Sequence, residues 1–302
     1  MTLIAHLSDI HLSPLPNVHW QDLLSKRITG YLNWKLKRKN QMQANTLEPL
    51  VEHLKSKNPN LTAITGDIVN LSLDAEFEQA RKWIEKHFKP EKTCLIPGNH
   101  DVYLKGALAK FQSSFGDYAK GEMIDNEPFP YVKRLKDVAI ISCSSAVPTM
   151  PFMAYGEFDV AQALRLSKTL KTLKKANYFR IVLIHHPVVD LAAEKFRKGL
   201  HGSKRFQQII KENGAELVLH GHTHKSSVSA ITGVKNGGNG GETPVIGVAS
   251  ASANAIHGDD PARYNLFKIK RLGDNRWSCN MSEFGYQRIG NEIVERLKMR
   301  IY

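Results

Sequence analysis

Five short clusters of polar side chains, each placed directly after an apolar run, contain the residues most suited to chemistry. They combine His, Asp and Asn, which together can ligate divalent transition metals. In chain order the clusters are Asp9-Ile10-His11, Gly66-Asp67, Pro97-Gly98-Asn99-His100-Asp101, His185-His186-Pro187 and His220-Gly221-His222-Thr223-His224. Asp9 or Asp67 alone would be read as a turn or cap residue, but five clusters in equivalent places favour one shared site.

The number and types of these side chains favour a site for two metal ions. Imidazole with carboxylate and amide oxygen suits Mn, Fe(II), Co or Zn, whereas all-oxygen sites suit Mg and Ca. The candidate ligands are too many for one tetrahedral ion and about enough for two ions that share a carboxylate. Two such ions, roughly 3.5–4 Å apart, hold the attacking and leaving oxygens of an in-line phosphoryl displacement. The pattern therefore predicts metal-dependent chemistry on a phosphate ester.

Strands alternating with helices must bring these clusters together. We predict buried strands at 3–8, 61–65, 94–96, 180–184 and 216–219, and helices at 46–57, 74–88, 158–177 and 196–213. Ligand sites in βαβ sheets lie beyond the C-terminal ends of the strands, and all five clusters occupy that position. Beyond the last cluster the pattern predicts further strands up to residue 284, then a helix over 288–301.

The five clusters resemble the pattern of the calcineurin-like metallophosphoesterases, which is D-x-H, GD, GNH followed by D or E, a single H, and GHxH. All five are present in that order between residues 9 and 224. The resemblance implies an α/β fold, a four-layer αββα sandwich of two mixed β-sheets flanked by helices. The expected cofactors are two divalent transition-metal ions, Mn²⁺ or Fe²⁺ first, with Zn²⁺ or Co²⁺ as alternatives.

The same resemblance implies a role for each side chain of the clusters. Two ligand groups and a bridging carboxylate are expected: Asp9, His11 and His224 for one metal, Asn99, His185 and His222 for the other, and Asp67 as the bridge. His100 is expected to act as general acid on the leaving-group oxygen, and Asp101 to orient the His100 imidazole.

The expected function is hydrolysis of a phosphodiester or pyrophosphate bond by in-line attack of a metal-bridging hydroxide. Within the family, the layout is most similar to the bacterial class III cyclic-nucleotide phosphodiesterase-like branch. Two alternatives remain open: a lipid-linked pyrophosphatase similar to the enzymes that cleave UDP-diacylglucosamine, and a nuclease. The intact set of ligands disfavours a non-catalytic scaffold.

Other polar residues near the clusters have less specific interpretations. His186 and His220 are expected to support the ligands rather than bind metal, because their neighbours already complete the pattern. His201 is a candidate for lining the cleft. Asn70, three residues after Asp67, fits either a substrate contact or a turn.

Residues 20–40 form a basic stretch that we expect within a helical insertion at about 18–42 of a single domain, residues 1–302. The stretch combines Trp20, Tyr31 and Trp34 with six basic residues against one acidic residue, Asp22. It fits either an amphipathic helix packed on the body with a solvated face or an interfacial element for anionic membrane or lipid-like substrate. Binding of nucleic acid is a third interpretation, disfavoured because no known binding module accompanies the charge.

The composition indicates which partners and location to expect. A net charge of +13 favours anionic partners, here the phosphoester substrate. The first residues lack the basic start of a signal peptide, no run approaches the ~18 apolar residues of a membrane span, and the three cysteines lack paired spacing. We therefore expect a cytoplasmic protein, with peripheral contact at the inner face of the membrane as an option. The sequence indicates no oligomeric state.

Overall fold

A computed structural model of the protein describes residues 1–23, 25–38, 44–189, 195–235, 240–254, 260–273, 276–287 and 292–302. The strands are β1 Thr2–Leu7, β2 Leu61–Ile64, β3 Thr93–Leu95, β4 Glu122–Ile124, β5 Glu127–Leu135, β6 Val138–Ser142, β7 Gly156–Glu157, β8 Phe179–Leu183, β9 Leu200–His201, β10 Leu217–His220, β11 Ser227–Thr232, β12 Glu242–Gly247, β13 Arg263–Gly273, β14 Arg276–Tyr286 and β15 Ile293–Arg300. The α-helices are α1 Arg27–Asn33, α2 Ala44–Ser56, α3 Asp74–His87, α4 Ala107–Phe115, α5 Val160–Lys175, α6 Lys195–Lys198 and α7 Ser203–Asn213.

The strands form two large mixed sheets. The first has the order β15-β14-β13-β1-β2-β3, and the second has the order β11-β12-β10-β8-β6-β5-β4. In the first sheet β1, β2 and β3 run parallel; in the second, β12, β10, β8 and β6 do. Parallel neighbours require long crossover connections, which α2 supplies between β1 and β2 and α3 between β2 and β3.

Three apolar layers hold the sheets and helices together. One layer lies between the sheets, where Ile4 and Ala63 belong to the same buried cluster as Ile181 and Leu219. A second layer packs α2, α3 and α4 on the first sheet, and a third packs α5 and α7 on the second. Side chains alternate along a strand, so a fully buried strand such as β8 can serve both faces. The predicted four-layer α/β fold is confirmed.

The predicted helix over 288–301 is wrong where the structure describes that stretch. Residues 293–300 form β15, which pairs antiparallel with β14. The residue types there are good helix formers, but Leu297, Met299 and Ile301 alternate with polar residues. Met299 and Ile301 join the layer between the sheets, so strand pairing and burial outweigh helix propensity.

The predicted helix over 196–213 is divided in the structure. The short helix α6 ends at Lys198, β9 follows, and α7 begins at Ser203 after Gly202, whose φ of +93° interrupts the helix. β9 pairs with β7 in a separate two-stranded sheet. The pairing of β9 therefore replaces one turn of the predicted helix.

The basic stretch is helical in three pieces. A 3₁₀ turn spans Trp20–Leu23, α1 follows, and a π-helical turn spans Trp34–Arg38. The description of this stretch as an insertion in a single domain stays a prediction. Among the described residues, no helix is long and apolar enough to cross a bilayer. Cys94, Cys143 and Cys279 are free and buried.

Candidate metal centre

The polar clusters follow the C-terminal ends of β1, β2, β3, β8 and β10, as expected from the sequence. Backbone pairing continues past the ends of β1 and β2: Asp9 N–H donates to the Gly66 carbonyl and His11 N–H to the Asp67 carbonyl, each at 2.9 Å. The first two clusters are therefore held side by side by the same hydrogen bonding that joins their strands.

Five of the seven predicted ligands have a left-handed backbone. Their φ angles are 53° at Asp9, 42° at His11, 55° at Asp67, 69° at His222 and 55° at His224. For a residue other than glycine this conformation costs on the order of 1–3 kcal/mol and persists only where the surroundings enforce it. The concentration of this strain in the ligand loops supports a functional site.

Both aspartates use one carboxylate oxygen to bind the backbone of a neighbouring loop. His222 N–H donates to Asp9 Oδ2 at 2.9 Å, and His100 N–H donates to Asp67 Oδ1 at 2.7 Å. These approaches require glycine, because a Cβ at Gly98 would overlap the Asp67 carboxylate and a Cβ at Gly221 would overlap Asp9 and Ser8. The second oxygen of each aspartate faces the imidazoles.

The first predicted ligand group consists of Asp9, His11 and His224, whose ligand atoms lie close enough together to hold one metal ion. Asp9 Oδ1 lies 3.2 Å from His224 Nε2, which lies 3.2 Å from His11 Nε2. Asp9 Oδ1 is buried and has no hydrogen-bond partner in the part of the chain that the structure describes. A buried carboxylate oxygen that faces two imidazole nitrogens fits a metal ion, because the positive ion would be the partner that this negatively charged oxygen otherwise lacks.

The second group consists of Asn99, His185 and His222. Asn99 Oδ1 lies 3.2 Å from His185 Nε2 and 2.9 Å from His222 Nδ1. The donor atoms are one amide oxygen and two imidazole nitrogens, a set that suits a divalent transition metal.

Asp67 lies between the two groups. Its Oδ2 is 3.7 Å from His11 Nε2 and 3.4 Å from His185 Nε2. Burial raises the pKa of Asp67, but the positive charges of His185 and His100 outweigh burial and hold the pKa well below its usual value. An ionised carboxylate that faces both groups fits the bridging position.

Carbonyl groups fix the orientation of two ligand imidazoles. His185 Nδ1 lies 2.6 Å from the Thr65 carbonyl oxygen, and His11 Nδ1 lies 3.3 Å from that of Val69. A proton on Nδ1 donated to these carbonyls leaves Nε2 of each ring for metal binding. Burial lowers the pKa of His185, but the negative charge of Asp67 outweighs burial and helps to raise this pKa to about 9. Metal ligation needs a neutral imidazole, so a metal ion must displace the extra proton of His185 when it binds.

His100 lies beside the ligand groups, half-buried. Its ring meets the His11 ring edge-on with centroids 5.0 Å apart, and it stacks on the Tyr103 ring at 5.6 Å. Its Nδ1 donates to the Asn70 carbonyl at 2.6 Å. With Nδ1 held in this way, proton exchange with a substrate falls to Nε2.

The prediction that Asp101 orients the His100 imidazole is corrected by this geometry, because the Asn70 carbonyl occupies that place. The Asp101 carboxylate is fully buried and accepts four backbone N–H bonds at 2.8–3.1 Å, from Asp67, Ile68, Val69 and Gly98. Burial and the nearby Asp67 charge raise the pKa of Asp101 to about 7. Asp101 therefore fixes the loop that carries Asp67, and adjacency in sequence was a poor guide to its contact.

Glu76 is a buried contributor that the sequence analysis did not single out. Its carboxylate accepts hydrogen bonds from the N–H groups of Asn70, Leu71 and Leu73 at 2.8–3.1 Å. These bonds fix the loop whose Asn70 carbonyl holds His100. Glu76 is the third residue of α3, a position from which a glutamate side chain often reaches back to the N–H before the helix, so this signal was present in the sequence.

The other candidate residues lie around the centre. His186 bonds to Ser145 Oγ at 2.8 Å and to the Ala154 carbonyl at 3.2 Å, and its ring lies 4.4 Å from that of His222. His220 contacts the Gly221 carbonyl, and His201 stacks on Tyr155 at 4.2 Å. His186 and His220 thus bond to protein groups next to the ligands.

Comparisons with known proteins identify the family and the fold of the chain. Residues 2–226 match the family model described as calcineurin-like phosphoesterase. No curated protein matches the chain by sequence. The chain is similar in fold to a dimetal phosphatase from Danio rerio, with a TM-score of 0.67, 11% identity and coverage of 100% of this chain and 99% of that one. It is also similar to TT1561 of Thermus thermophilus, with a TM-score of 0.50, 13% identity and coverage of 92% and 97%.

Proposed function

The chain belongs to the calcineurin-like phosphoesterase family and is a metal-dependent phosphoesterase, and from this premise we propose that it hydrolyses phosphodiester bonds. The observation that supports the proposal is the position of Asp67 Oδ2, within 3.7 Å of His11 Nε2 on one side and 3.4 Å of His185 Nε2 on the other. A carboxylate shared by two ligand groups suits the two-metal clamp used for in-line phosphoryl displacement.

Seven side chains would hold the two ions. One group is Asp9, His11 and His224, the other is Asn99, His185 and His222, and Asp67 joins them. When bound, two divalent ions supply positive charge to the phosphoryl oxygens and lower the pKa of water so that it can attack phosphorus in line. The donor atoms favour Mn²⁺ or Fe²⁺, with Zn²⁺ or Co²⁺ as alternatives.

The charges of the ligands favour an anionic substrate. Asp9 and Asp67 are the two carboxylates among the proposed ligands, so two divalent ions would leave an excess of positive charge. Asn99 preserves this excess because its amide is neutral, whereas an aspartate there would reduce it. A phosphodiester and its attacking nucleophile are the negative groups that this excess would stabilise.

His100 would donate the proton that the leaving oxygen needs. Its Nδ1–H is held by the Asn70 carbonyl, so the imidazolium gives its proton from Nε2. The His100 ring lies 5.0 Å from the ring of His11, so this proton would be at the edge of the ligand groups. General acids of this kind contribute typically 10²–10⁴-fold to the rate.

A panel of substrates with Mn²⁺ tests the proposal. Bis-p-nitrophenyl phosphate and cyclic nucleotides should turn over with larger kcat/KM than p-nitrophenyl phosphate. The Asp67→Asn variant is the control for a contaminating phosphatase. A preference for monoesters, lost in the same variant, would refute the phosphodiester assignment while leaving the metal centre in place.

A second candidate is cleavage of the pyrophosphate bond in a lipid-linked nucleotide of the UDP-diacylglucosamine type. The observation that favours it is a chain of contacts from the basic stretch to the general acid: Lys26 Nζ lies 4.3 Å from the Tyr103 ring centroid, and Tyr103 stacks on His100. Faster turnover of the acylated than of the deacylated nucleotide would support it, and equal rates would refute it. The nuclease alternative and the cytoplasmic location stay predictions.

A further inference from the structure

Two short stretches carry much of the large apolar surface of the protein. Among the described residues thirteen large apolar side chains are exposed, and six of them lie within residues 20–36 or 150–152. They are Trp20, Ile28, Leu32, Leu36, Met150 and Phe152, each 50–77% exposed. Single exposed apolar residues are ordinary, whereas a cluster of them indicates an interaction surface.

The apolar face of α1 is exposed because the opposite face packs on the body. Gly30 lies so close to Tyr103 and Leu71 that a Cβ would overlap both side chains. Arg27 donates from Nε to the Leu71 carbonyl at 2.9 Å. Ile28 and Leu32, one helical turn apart, remain exposed on this docked helix. The exposure therefore belongs to a segment fixed by specific contacts.

Lys26 joins the two stretches. Its Nζ donates to Thr149 Oγ1 and, at 3.1 Å, to the Met153 carbonyl. The loop that exposes Met150 and Phe152 is therefore held against the start of α1. The two groups of apolar side chains thus belong to adjoining parts of the same surface, which we call the apolar rim (residues 20–23, 25–36 and 149–153).

The apolar rim borders the metal centre on two sides. On one side Tyr103, which contacts Lys26 and Gly30, stacks on His100. On the other side the loop continues to Ala154, whose carbonyl bonds to His186, and the His186 ring lies 4.4 Å from that of His222. A surface seated on the apolar rim would therefore lie next to the centre.

Positive charge accompanies the apolar side chains. In the first stretch, Lys26 and Arg27 donate to backbone carbonyls of the body, and Lys35 is exposed beside Leu36. Beside the loop, exposed Arg197 donates to the Phe152 carbonyl at 3.1 Å, and Lys198 is exposed next to it. A dissolved anion would not require exposed Trp, Leu and Phe, and a neutral apolar partner would not require the cations. An anionic bilayer accounts for both features, because apolar side chains can insert among its acyl chains and cations can pair with its anionic headgroups.

We propose that the apolar rim seats the protein on the surface of an anionic lipid bilayer, with the metal centre beside the contact. Trp20, Leu32, Leu36, Met150 and Phe152 enter the boundary between headgroups and acyl chains, and the exposed cations Lys35, Arg197 and Lys198 pair with lipid phosphates. The contact is peripheral and depends on both apolar insertion and electrostatic attraction, because a few shallow apolar side chains alone bind neutral lipid only weakly.

Co-sedimentation with vesicles tests the proposal without relying on turnover. The full chain should bind vesicles of phosphatidylcholine with about 30% phosphatidylglycerol and bind pure phosphatidylcholine at least about tenfold more weakly. The double variant Leu32→Ser with Phe152→Ser should bind the anionic vesicles at least about tenfold more weakly than the wild type. Its hydrolysis of bis-p-nitrophenyl phosphate without vesicles should stay unchanged, which shows that the fold and the centre are intact.

Matched controls come from another exposed surface of the chain. Val160 and Leu164 on α5 are 57% and 66% exposed, so Val160→Ser with Leu164→Ser removes comparable apolar surface and should leave binding unchanged. Lys35→Glu should weaken binding, whereas Lys171→Glu on α5 should do so much less.

Three outcomes would overturn the proposal. They are a wild type that ignores anionic vesicles, equal losses in the rim and α5 variants, or a dimer in solution that Leu32→Ser with Phe152→Ser converts to monomer. The last outcome would show that a second copy of the chain covers the apolar rim. Failure of diester hydrolysis with intact vesicle binding would refute the proposed function and leave this inference standing.

Discussion

At the scale of single residues, the two aspartates of the centre divide their oxygens between backbone and ligand groups. Asp9 and Asp67 each accept an N–H from a loop of another strand and turn the remaining oxygen toward imidazoles. A carboxylate held in this way is oriented before any ion binds, so little reorganisation is needed on binding. A substitution at either aspartate should therefore affect both the position of the loops and the binding of the ions.

Asp67→Asn should weaken the binding of both ions, because Asp67 Oδ2 faces both ligand groups. We expect less than two equivalents of Mn²⁺ by elemental analysis after dialysis, and a fall in kcat/KM of at least about 10²-fold. Asp74→Asn, the same change at an exposed aspartate at the start of α3, serves as the control. Unchanged stoichiometry and rate would remove Asp67 from the bridging position.

His100→Ala should keep both ions yet lose activity according to the leaving group. A p-nitrophenolate leaves with little protonation, whereas an alkoxide requires a proton. We expect a loss of about 10²–10⁴-fold on alkyl esters and a much smaller loss on p-nitrophenyl esters. A leaving-group series measured at one pH checks this, and equal losses across the series would contradict the role of general acid.

Asp101→Asn should lower the free energy of unfolding and leave the dependence of the rate on the leaving group unchanged. An amide offers one oxygen where the carboxylate offers two, so some of the four N–H groups of the loop would lose their acceptor. The expected loss is about 3 kcal/mol in the free energy of unfolding, measured by urea titration of the metal-free protein. A steeper leaving-group dependence with unchanged stability would restore the orienting role expected from the sequence.

At the scale of elements, the strand ends were predictable and some of their neighbours were not. The clusters after β1, β2, β3, β8 and β10 could be located because each follows a short apolar run. The strand β15 was mistaken for a helix because its residue types favour helix, and its pairing with β14 is known only from the fold. The contacts of Asp101 were missed for a related reason: its carboxylate binds backbone N–H groups, which almost every residue type has, so the partners leave little trace in the sequence. The contact of Glu76 was overlooked although its place in the first turn of α3 was a recognisable signal.

Gly30→Ala should loosen the basic segment without unfolding the body. A Cβ there would overlap Tyr103 and Leu71, so α1 must move away. Hydrogen exchange within residues 25–38 should become faster, while exchange in β1 and β8 should stay unchanged. Asn33→Ala on the same helix, where the side chain is exposed, is the control. Unchanged exchange in the segment would show that the contact with Tyr103 does not hold it.

At the scale of the whole molecule, the proposed metal centre takes its residues from both sheets. Asp9, His11, Asp67 and Asn99 follow strands of the first sheet, whereas His185, His222 and His224 follow strands of the second. Each proposed group takes ligands from both sheets, so bound ions would cross-link the sheets at one end of the apolar layer between them. The ions should therefore contribute to the stability of the whole protein as well as to catalysis.

Removal of the ions should lower the melting temperature. At a concentration of free ion about 100 times the Kd, one bound ion adds about 2.7 kcal/mol to the free energy of unfolding. This corresponds to a shift of about 4 °C for each ion, since a protein of this size has an unfolding entropy of about 0.6 kcal/mol/K. Differential scanning fluorimetry with EDTA and after return of Mn²⁺ measures the shift. Asp67→Asn should show a smaller shift, and an equal shift in both proteins would contradict the cross-link.

The buried cysteines make the protein a convenient host for site-directed probes. Burial raises the pKa of Cys94 and of Cys279 to about 12 and raises that of Cys143 further. The thiolate is the form that attacks a thiol reagent, so the native cysteines should remain unlabelled at neutral pH. A fluorophore on Phe152→Cys or Leu36→Cys would then report the polarity at a single chosen position without removal of any native cysteine.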